Sequence, residues 1–289
     1  PPPPPPPHPP PFFFFHHYYV IRDAQESRGL GDVYKRQRNA MSGGMTAGLA
    51  SQLASAELDP NVKAIVLTGA GKGFCAGGDV KGMAASGDGT VGDNTIDGAI
   101  HRQRVNQRAT AGKLYNMPKP TIAALPGAAA GAGLSLALAC DLRIMSSNAI
   151  MTTAFARVGF SGDYGGTFFM SQLVGSAKAR QLYYLSERVS ADQALDLGLT
   201  NWVCEPDELE SKTLEIASQL ASGPTVAFRY MKENFARAIS SGDVDDCLDL
   251  EATHHVHCGQ TEDHRNCLLY TSDAADEGLG VDLGGRRII

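Results

Sequence analysis

Two glycine-rich loops, each directly after a short apolar run, constrain this chain more than any other feature. VKAIVLTG (62–69) leads into GAGKGFCAGGDV, and KPTIAAL leads into PGAAAGAGLSLALACDLRI. Apolar runs of that length ending at a turn signal predict buried strands, and Leu134–Ala139 predicts a short apolar helix. A glycine turn feeding a helix N-terminus presents unpaired backbone N–H groups, which suits it to hold negative charge. Neither loop reads as a nucleotide-phosphate cradle, because no Lys-Ser or Lys-Thr follows and the glycines do not space as G-x-G-x-x-G. In an α/β layout, loops at the carboxyl ends of adjacent strands open on one crevice. Two N–H groups converging there from separate loops make an oxyanion hole, and the anion is then one created during a reaction.

The rest of the chain alternates in the same way. Met45 to Leu58 has helical spacing, with Ser42 as its cap, and Ala99 to Tyr115 reads as a second helix. DLRIMS and AIMTTAF predict two more strands, while the polar stretch from Ser86 to Asp97 predicts a surface loop. Repeated β, loop, α order implies an α/β fold with mostly parallel strands. From about Ser176 strands nearly vanish: SAKARQLYYL, SADQALDLG, DELESKTLEIASQLA, PTVAFRYMKENFARAI and DVDDCLDLEATHHVHC all read as helices. A helical C-terminal region that supports or oligomerises the first part is the simplest account.

The two ends read differently. Residues 1–19 are homopolymer-like runs without a folding pattern. GDVYKRQ before the alternating region and CLLYTS after it are encoded by DNA strings that are nearly reverse complements. Residues 1–37 and 267–289 therefore resemble translated sequencing-library adapter and are set aside from fold reasoning. The expected organisation is 1–37 non-native, 38–195 a core, 196–266 a helical region, and 267–289 non-native. The net charge of −6 gives no basic face for a nucleic acid. The cysteines show no C-x-x-C pair, as expected of cytosolic thiols, and no apolar run approaches a membrane span.

GKGFCAGGDV and PGAAAGAGLSLALACDLRI, followed in order by GDYGGT and SADQALDLGLTNWV, resemble the crotonase, or enoyl-CoA hydratase/isomerase, superfamily. The motifs sit closest to those of the phenylacetate-pathway-type enoyl-CoA isomerases. RNAMS resembles the family segment after its first strand, and EDHRN the point before its last helix, so the core is expected to lack both of those outer elements. The resemblance implies a crotonase-like ββα spiral core with a C-terminal helical oligomerisation region. It also implies an acyl-CoA thioester substrate, with coenzyme A as part of that substrate and no separate cofactor. A cytoplasmic homotrimer or dimer of trimers follows, without nucleic-acid or membrane partners.

By the same resemblance, the thioester oxygen accepts N–H bonds from Ala76 and Ala132, flanked by Gly77, Gly131 and Gly133. Lys72 approaches the CoA phosphates, and Phe74 lines the adenine or thioester side. Hydratases of the family use two glutamates, and the matching positions here are Ser135 and Phe155, neither of which transfers a proton as a carboxylate does. Asp163 matches an acidic residue of members that move double bonds, a reaction for which one base suffices. Its alternative role is capping the helix that begins near Gly165. Tyr164 either donates a hydrogen bond to substrate or packs, Asp79 reads as a structural cap, and His101 covers the acyl pocket. His254, His255, His257 and Cys258 do not share one helix face, so no metal is expected. Three readings stay open: a double-bond isomerase, a hydratase, and a catalytically silent acyl-CoA binder.

Overall fold

The computed structural model describes residues 39–78 and 95–268, together with the backbone of two strands, β1 (Phe13–His16) and β2 (Tyr19–Val20). Helix α1 (Gly43–Leu58) and strand β3 (Ile65–Thr68) precede α2 (Ile96–Ala109), α3 (Ala111–Asn116) and β4 (Thr121–Leu125). Next come β5 (Ala129–Ala130), α4 (Ala132–Ala139), β6 (Leu142–Ser146), β7 (Ile150–Thr152) and a 3-10 turn at Phe155–Val158. The order closes with α5 (Gly166–Leu185), β8 (Val189–Ser190), α6 (Ala191–Asp196), β9 (Trp202–Cys204), α7 (Leu209–Ala221), α8 (Thr225–Ser241) and α9 (Val244–Cys258). Residues 262–268 form a last helix, α10.

The main sheet runs β2-β1-β3-β4-β6-β9, parallel throughout except for β2 against β1. Strand alternation sorts its side chains to two faces. Ile65, Leu67, Ala123, Leu125 and Met145 enter the larger core, while Val66, Ile122, Ala124 and Ile144 pack with Leu209 and Ala217 of α7. Burial on both faces is why these strands read as continuous apolar runs rather than alternating ones. A smaller sheet, β5-β7-β8, stands beside the second glycine loop. Ser42 caps α1 as expected, its hydroxyl accepting from Met45 N at 3.3 Å.

Several boundaries differ from the sequence reading. The helix expected over Ala99 to Tyr115 is two, divided at Thr110 (φ −118°, ψ −86°), whose hydroxyl bonds back to Asn106 O at 2.7 Å. The helix read to start near Gly165 and the one read over SAKARQLYYL are one, Gly166–Leu185, interrupted at Gly175 (φ 74°, ψ 161°). Strands β8 and β9 lie in the region read as purely helical. Both are held mainly by backbone pairing with distant partners, which runs of two or three residues do not announce. Asp79 and residues 86–94 of the expected surface loop lie outside the described residues.

The chain divides into two compact units, Pro1–Ser222 and Gly223–Ile289. Residues 196–222 go with the first unit because β9 pairs with β6 and α7 covers the sheet. Residues 1–37 were set aside and the first strand expected to be missing. Yet β1 lies parallel beside β3, with Phe13 opposite Ile65 and His16 opposite Thr68. A parallel edge pairs through backbone groups alone, and an aromatic run has high strand propensity, so the edge takes this segment. In the second unit, α8 and α9 are joined through Gly242 and Asp243. Arg237 holds Asp246 at 3.0 Å, and Tyr230 stacks on His254 at 4.0 Å. Among the described residues no helix is long and apolar enough to cross a membrane.

Candidate active site

The loops after β3 and β4 leave the carboxyl ends of adjacent parallel strands and lock together. Phe74 N and Cys75 N donate to Ala128 O at 3.0 and 3.2 Å, and Ala130 N returns a bond to Cys75 O at 2.9 Å. Met41 N, just ahead of α1, donates to Gly77 O at 2.7 Å. Two glycines make this closeness possible. At Gly77 (φ 86°) a Cβ would stand 2.7 Å from Ala130 O, and at Gly133 one would stand 2.6 Å from Cys75 O. Between these contacts lie Ala76 and Ala132, whose N–H groups have no acceptor among the described residues. Ala132 opens α4 at its positive end, while Ala76 is exposed. The expected pair of donors is therefore brought together with Gly77, Gly131 and Gly133.

Asn39 was not singled out from the sequence and proves to staple the first loop. Its Nδ2 donates to Gly73 O at 2.8 Å, Phe74 O at 2.9 Å and Ala70 O at 3.2 Å, and its own carbonyl accepts from Cys75 Sγ at 3.0 Å. The residue has a positive φ of 61°, which asparagine tolerates better than most side chains. Asn39 lies in RNAMS, so its position was visible and its partners were not.

Asp163 stands between the 3-10 turn and α5. It does not cap α5 with its side chain: Gly165 is the cap residue, and Gly166 N is bound by the Asp163 carbonyl at 3.1 Å. The carboxylate oxygen Oδ1 is buried and without a hydrogen-bond partner. Burial pushes its pKa from the usual 3.8 up to about 6. Its charge reaches Cys75, Tyr164 and Tyr183 and adds to the burial that raises all three, with Cys75 pushed up to about 12. The carboxylate is thus bordered by groups that stay neutral.

Ser135 and Phe155 border the same space. A Cβ on Gly166 would overlap both the Ser135 and the Tyr183 hydroxyl, and Phe155 stacks on Tyr183 with centroids 5.8 Å apart at 17°. Ser135 is 1% exposed, and its hydroxyl donates back to Gly131 O at 3.3 Å. Tyr183 was read only as part of a helix, because a lone tyrosine on an amphipathic face carries no signal that it points at a site.

The remaining expected residues fall elsewhere. Phe74 and Tyr164 are buried in the main core, and the Tyr164 N–H donates to Gln107 Oε1 at 2.9 Å. Lys72 and His101 are exposed. His254 meets Asn234 Oδ1 at 2.6 Å and Glu233 at 3.5 Å, an arrangement of helix packing. Among the described residues no three His, Cys, Asp or Glu side chains are grouped to hold a metal.

This geometry can stabilise negative charge at one point and move a proton at a second. Known proteins share its framework. The chain is similar to the short-chain-enoyl-CoA hydratase of Clostridium acetobutylicum, 37% identical over 73% of this chain and 78% of that one. It is also similar to the 1,2-epoxyphenylacetyl-CoA isomerase of Escherichia coli, 33% identical over 78% and 84%. Its fold matches the crystal structure of an enoyl-CoA hydratase from Polaromonas sp. JS666 with a TM-score of 0.76 and 31% identity, covering 83% of this chain and 91% of that one. The sequence profile described as enoyl-CoA hydratase/isomerase matches residues 33–272, and the chain belongs to the enoyl-CoA hydratase/isomerase family.

Proposed function

We propose that this protein isomerises the double bond of an enoyl-CoA thioester, with Asp163 as the single acid/base. The observation that carries the reading is the buried, unpartnered Oδ1 of the Asp163 carboxylate near the paired loop amides; by the family resemblance, Ser135 and Phe155 stand where hydratases carry two glutamates. A 3-enoyl thioester binds with its carbonyl oxygen on Ala76 N–H and Ala132 N–H. Asp163 removes a proton from C2, and the C–H electrons delocalise into the carbonyl, leaving a dienolate whose oxygen takes the charge. The protonated Asp163 then delivers that proton to C4, so the bond C3=C4 is replaced by C2=C3. A pKa near 6 suits a group that must accept and return a proton near neutrality. Coenzyme A enters as part of the substrate, with exposed Lys72 placed to meet its phosphates. The intact enzyme works in the cytoplasm as a trimer or a pair of trimers.

The test is turnover of a 3-enoyl-CoA in deuterated water by wild type and Asp163→Asn. Conjugated 2-enoyl product from wild type, with deuterium at C4 to the extent that the protonated Asp163 exchanges with solvent before delivery, and a loss of at least about a hundredfold in the variant are expected. Equal formation of 3-hydroxyacyl-CoA by both proteins would instead make the enzyme a hydratase with another base. Binding without any turnover would make it a silent acyl-CoA binder.

A further inference from the structure

Tyr164, the residue after Asp163, has a backbone φ of 49°, in the left-handed region that a bulky side chain adopts at a cost. Gly162 (φ 116°) and Gly165 (φ 75°) share that region, so Tyr164 is the one strained residue of the turn that carries Asp163. Such a conformation persists only where its surroundings fix it. Here the peptide unit between Asp163 and Tyr164 is held at both ends. Its carbonyl accepts from Gly166 N at 3.1 Å, and its N–H donates to Gln107 Oε1 at 2.9 Å. The first bond is local, whereas the second comes from α2, 57 residues earlier in the chain. A backbone N–H only donates, so the Gln107 atom that meets it is the amide oxygen. Because the unit is planar, two bonds on opposite sides fix its plane, and with it the Cα from which the Asp163 carboxyl projects. No hydrogen bond to Oδ1 helps to aim that carboxyl among the described residues. Its direction therefore depends on the backbone beneath it.

We infer that Gln107 is a positioning residue: by holding the strained Asp163–Tyr164 peptide, its amide oxygen keeps the Asp163 carboxylate in its buried place. The inference rests on the isomerase reading above for the use of that carboxylate, and on the two backbone bonds for its placement. Without the Gln107 bond, Tyr164 is free to relax out of the left-handed region and Asp163 to turn with it. The carboxylate then reaches water and the unpaired N–H groups that open any helix, here α5, both of which stabilise its charge. Gln107 thus separates the two roles that the sequence left open for Asp163, a base and a helix cap.

The experiment compares the full chain as wild type, Gln107→Leu, Gln107→Asn and Gln107→Glu. Leucine removes the acceptor at similar size, asparagine keeps the amide but stops one methylene short, and glutamate keeps an acceptor oxygen at the same reach. The first measurement is the pH titration of the Asp163 carboxyl carbon by carbon-13 NMR, assigned with Asp163→Asn. The second is kcat and KM for 3-enoyl-CoA isomerisation at pH 8. Wild type is expected to titrate at about 6, and the Leu and Asn variants nearer the usual 3.8. Cys75, Tyr164 and Tyr183, the titratable groups that the Asp163 charge reaches, are all raised and stay neutral, so the movement is that of Asp163. The Leu and Asn variants should also lose at least about tenfold in kcat, as a misplaced reacting group does, with KM within about twofold. Gln107→Glu should keep kcat within about threefold and titrate no lower than wild type, since a like charge opposes ionisation. An Asp163 titration unmoved in both the Leu and Asn variants overturns the positioning role, whatever kcat does, and so does an equal loss of kcat in Gln107→Glu. A titration that falls in both, in a protein whose wild type does not isomerise 3-enoyl-CoA, upholds the positioning role and overturns the isomerase reading.

Discussion

Asp163 carries the proposed chemistry of the site in one side chain, and its energetics set two expectations. Its carboxyl is harder to ionise in the folded chain than in the unfolded one, so the folded state binds the extra proton between the usual 3.8 and about 6. Stability contributed by this residue therefore falls as pH rises through that window, and the deficit is fully present above it. Asp163→Asn should raise the melting temperature at pH 8 and leave it nearly unchanged at pH 3.5. The gain is on the order of 1 kcal/mol once solvent screening of a half-buried group is allowed for. In the other direction, kcat/KM for isomerisation should climb with pH along a limb centred near 6 and then level, as expected of a base that must be ionised in the free enzyme. A limb centred near 4 would mean that burial does not act on this carboxylate as the geometry requires. At this scale the sequence singled out Asp163 with two roles open. It could not decide between cap and base, because both need an aspartate before a helix, and only the unpartnered Oδ1 separates them.

Glycine decides matters at the level of elements. The first turn of α4 lies so close to the first loop that Gly133 has no room for a methyl group against Cys75 O. Gly133→Ala should push the helix off the loop, separating the Ala76 and Ala132 amides. We expect kcat for isomerisation to fall by about a hundredfold, comparable to loss of one oxyanion donor. Overpacking should also cost about 1–3 kcal/mol of stability in urea denaturation. Ser42→Ala, by contrast, removes only the cap of α1 and should cost about 1 kcal/mol with kcat intact. The same elements show what was legible. Both glycine loops, four of the strands and the order of the C-terminal helices could be read from apolar runs and punctuation. The split at Thr110, the interruption at Gly175 and the strands Val189–Ser190 and Trp202–Cys204 could not, since each is fixed by a partner far away in sequence. Asn39 and Tyr183 stayed hidden for a related reason: their roles are contacts rather than residue types.

The molecule as a whole presents apolar side chains on its second unit, with Phe235 72% and Val256 62% exposed. Such surface favours burial between copies, so light scattering on the proposed acyl-CoA enzyme should give a trimeric or hexameric mass. A dispersed monomer would remove the oligomer from the proposal. Helical content rises before the sheet has received its last strand, so composition shifts ahead of the division after Ser222. The interlocked loops carry one further consequence, which concerns time. Cys75, Ala130 and Gly131 commit their amides to Ala128, Cys75 and Thr152, so their protons exchange with solvent only when the loops part. Ala76 and Ala132 sit among them with no acceptor among the described residues. The site should thus behave as a slow-exchanging clasp around two uncommitted amides, and an incoming anion should alter the exchange of those two while their neighbours keep their own pace.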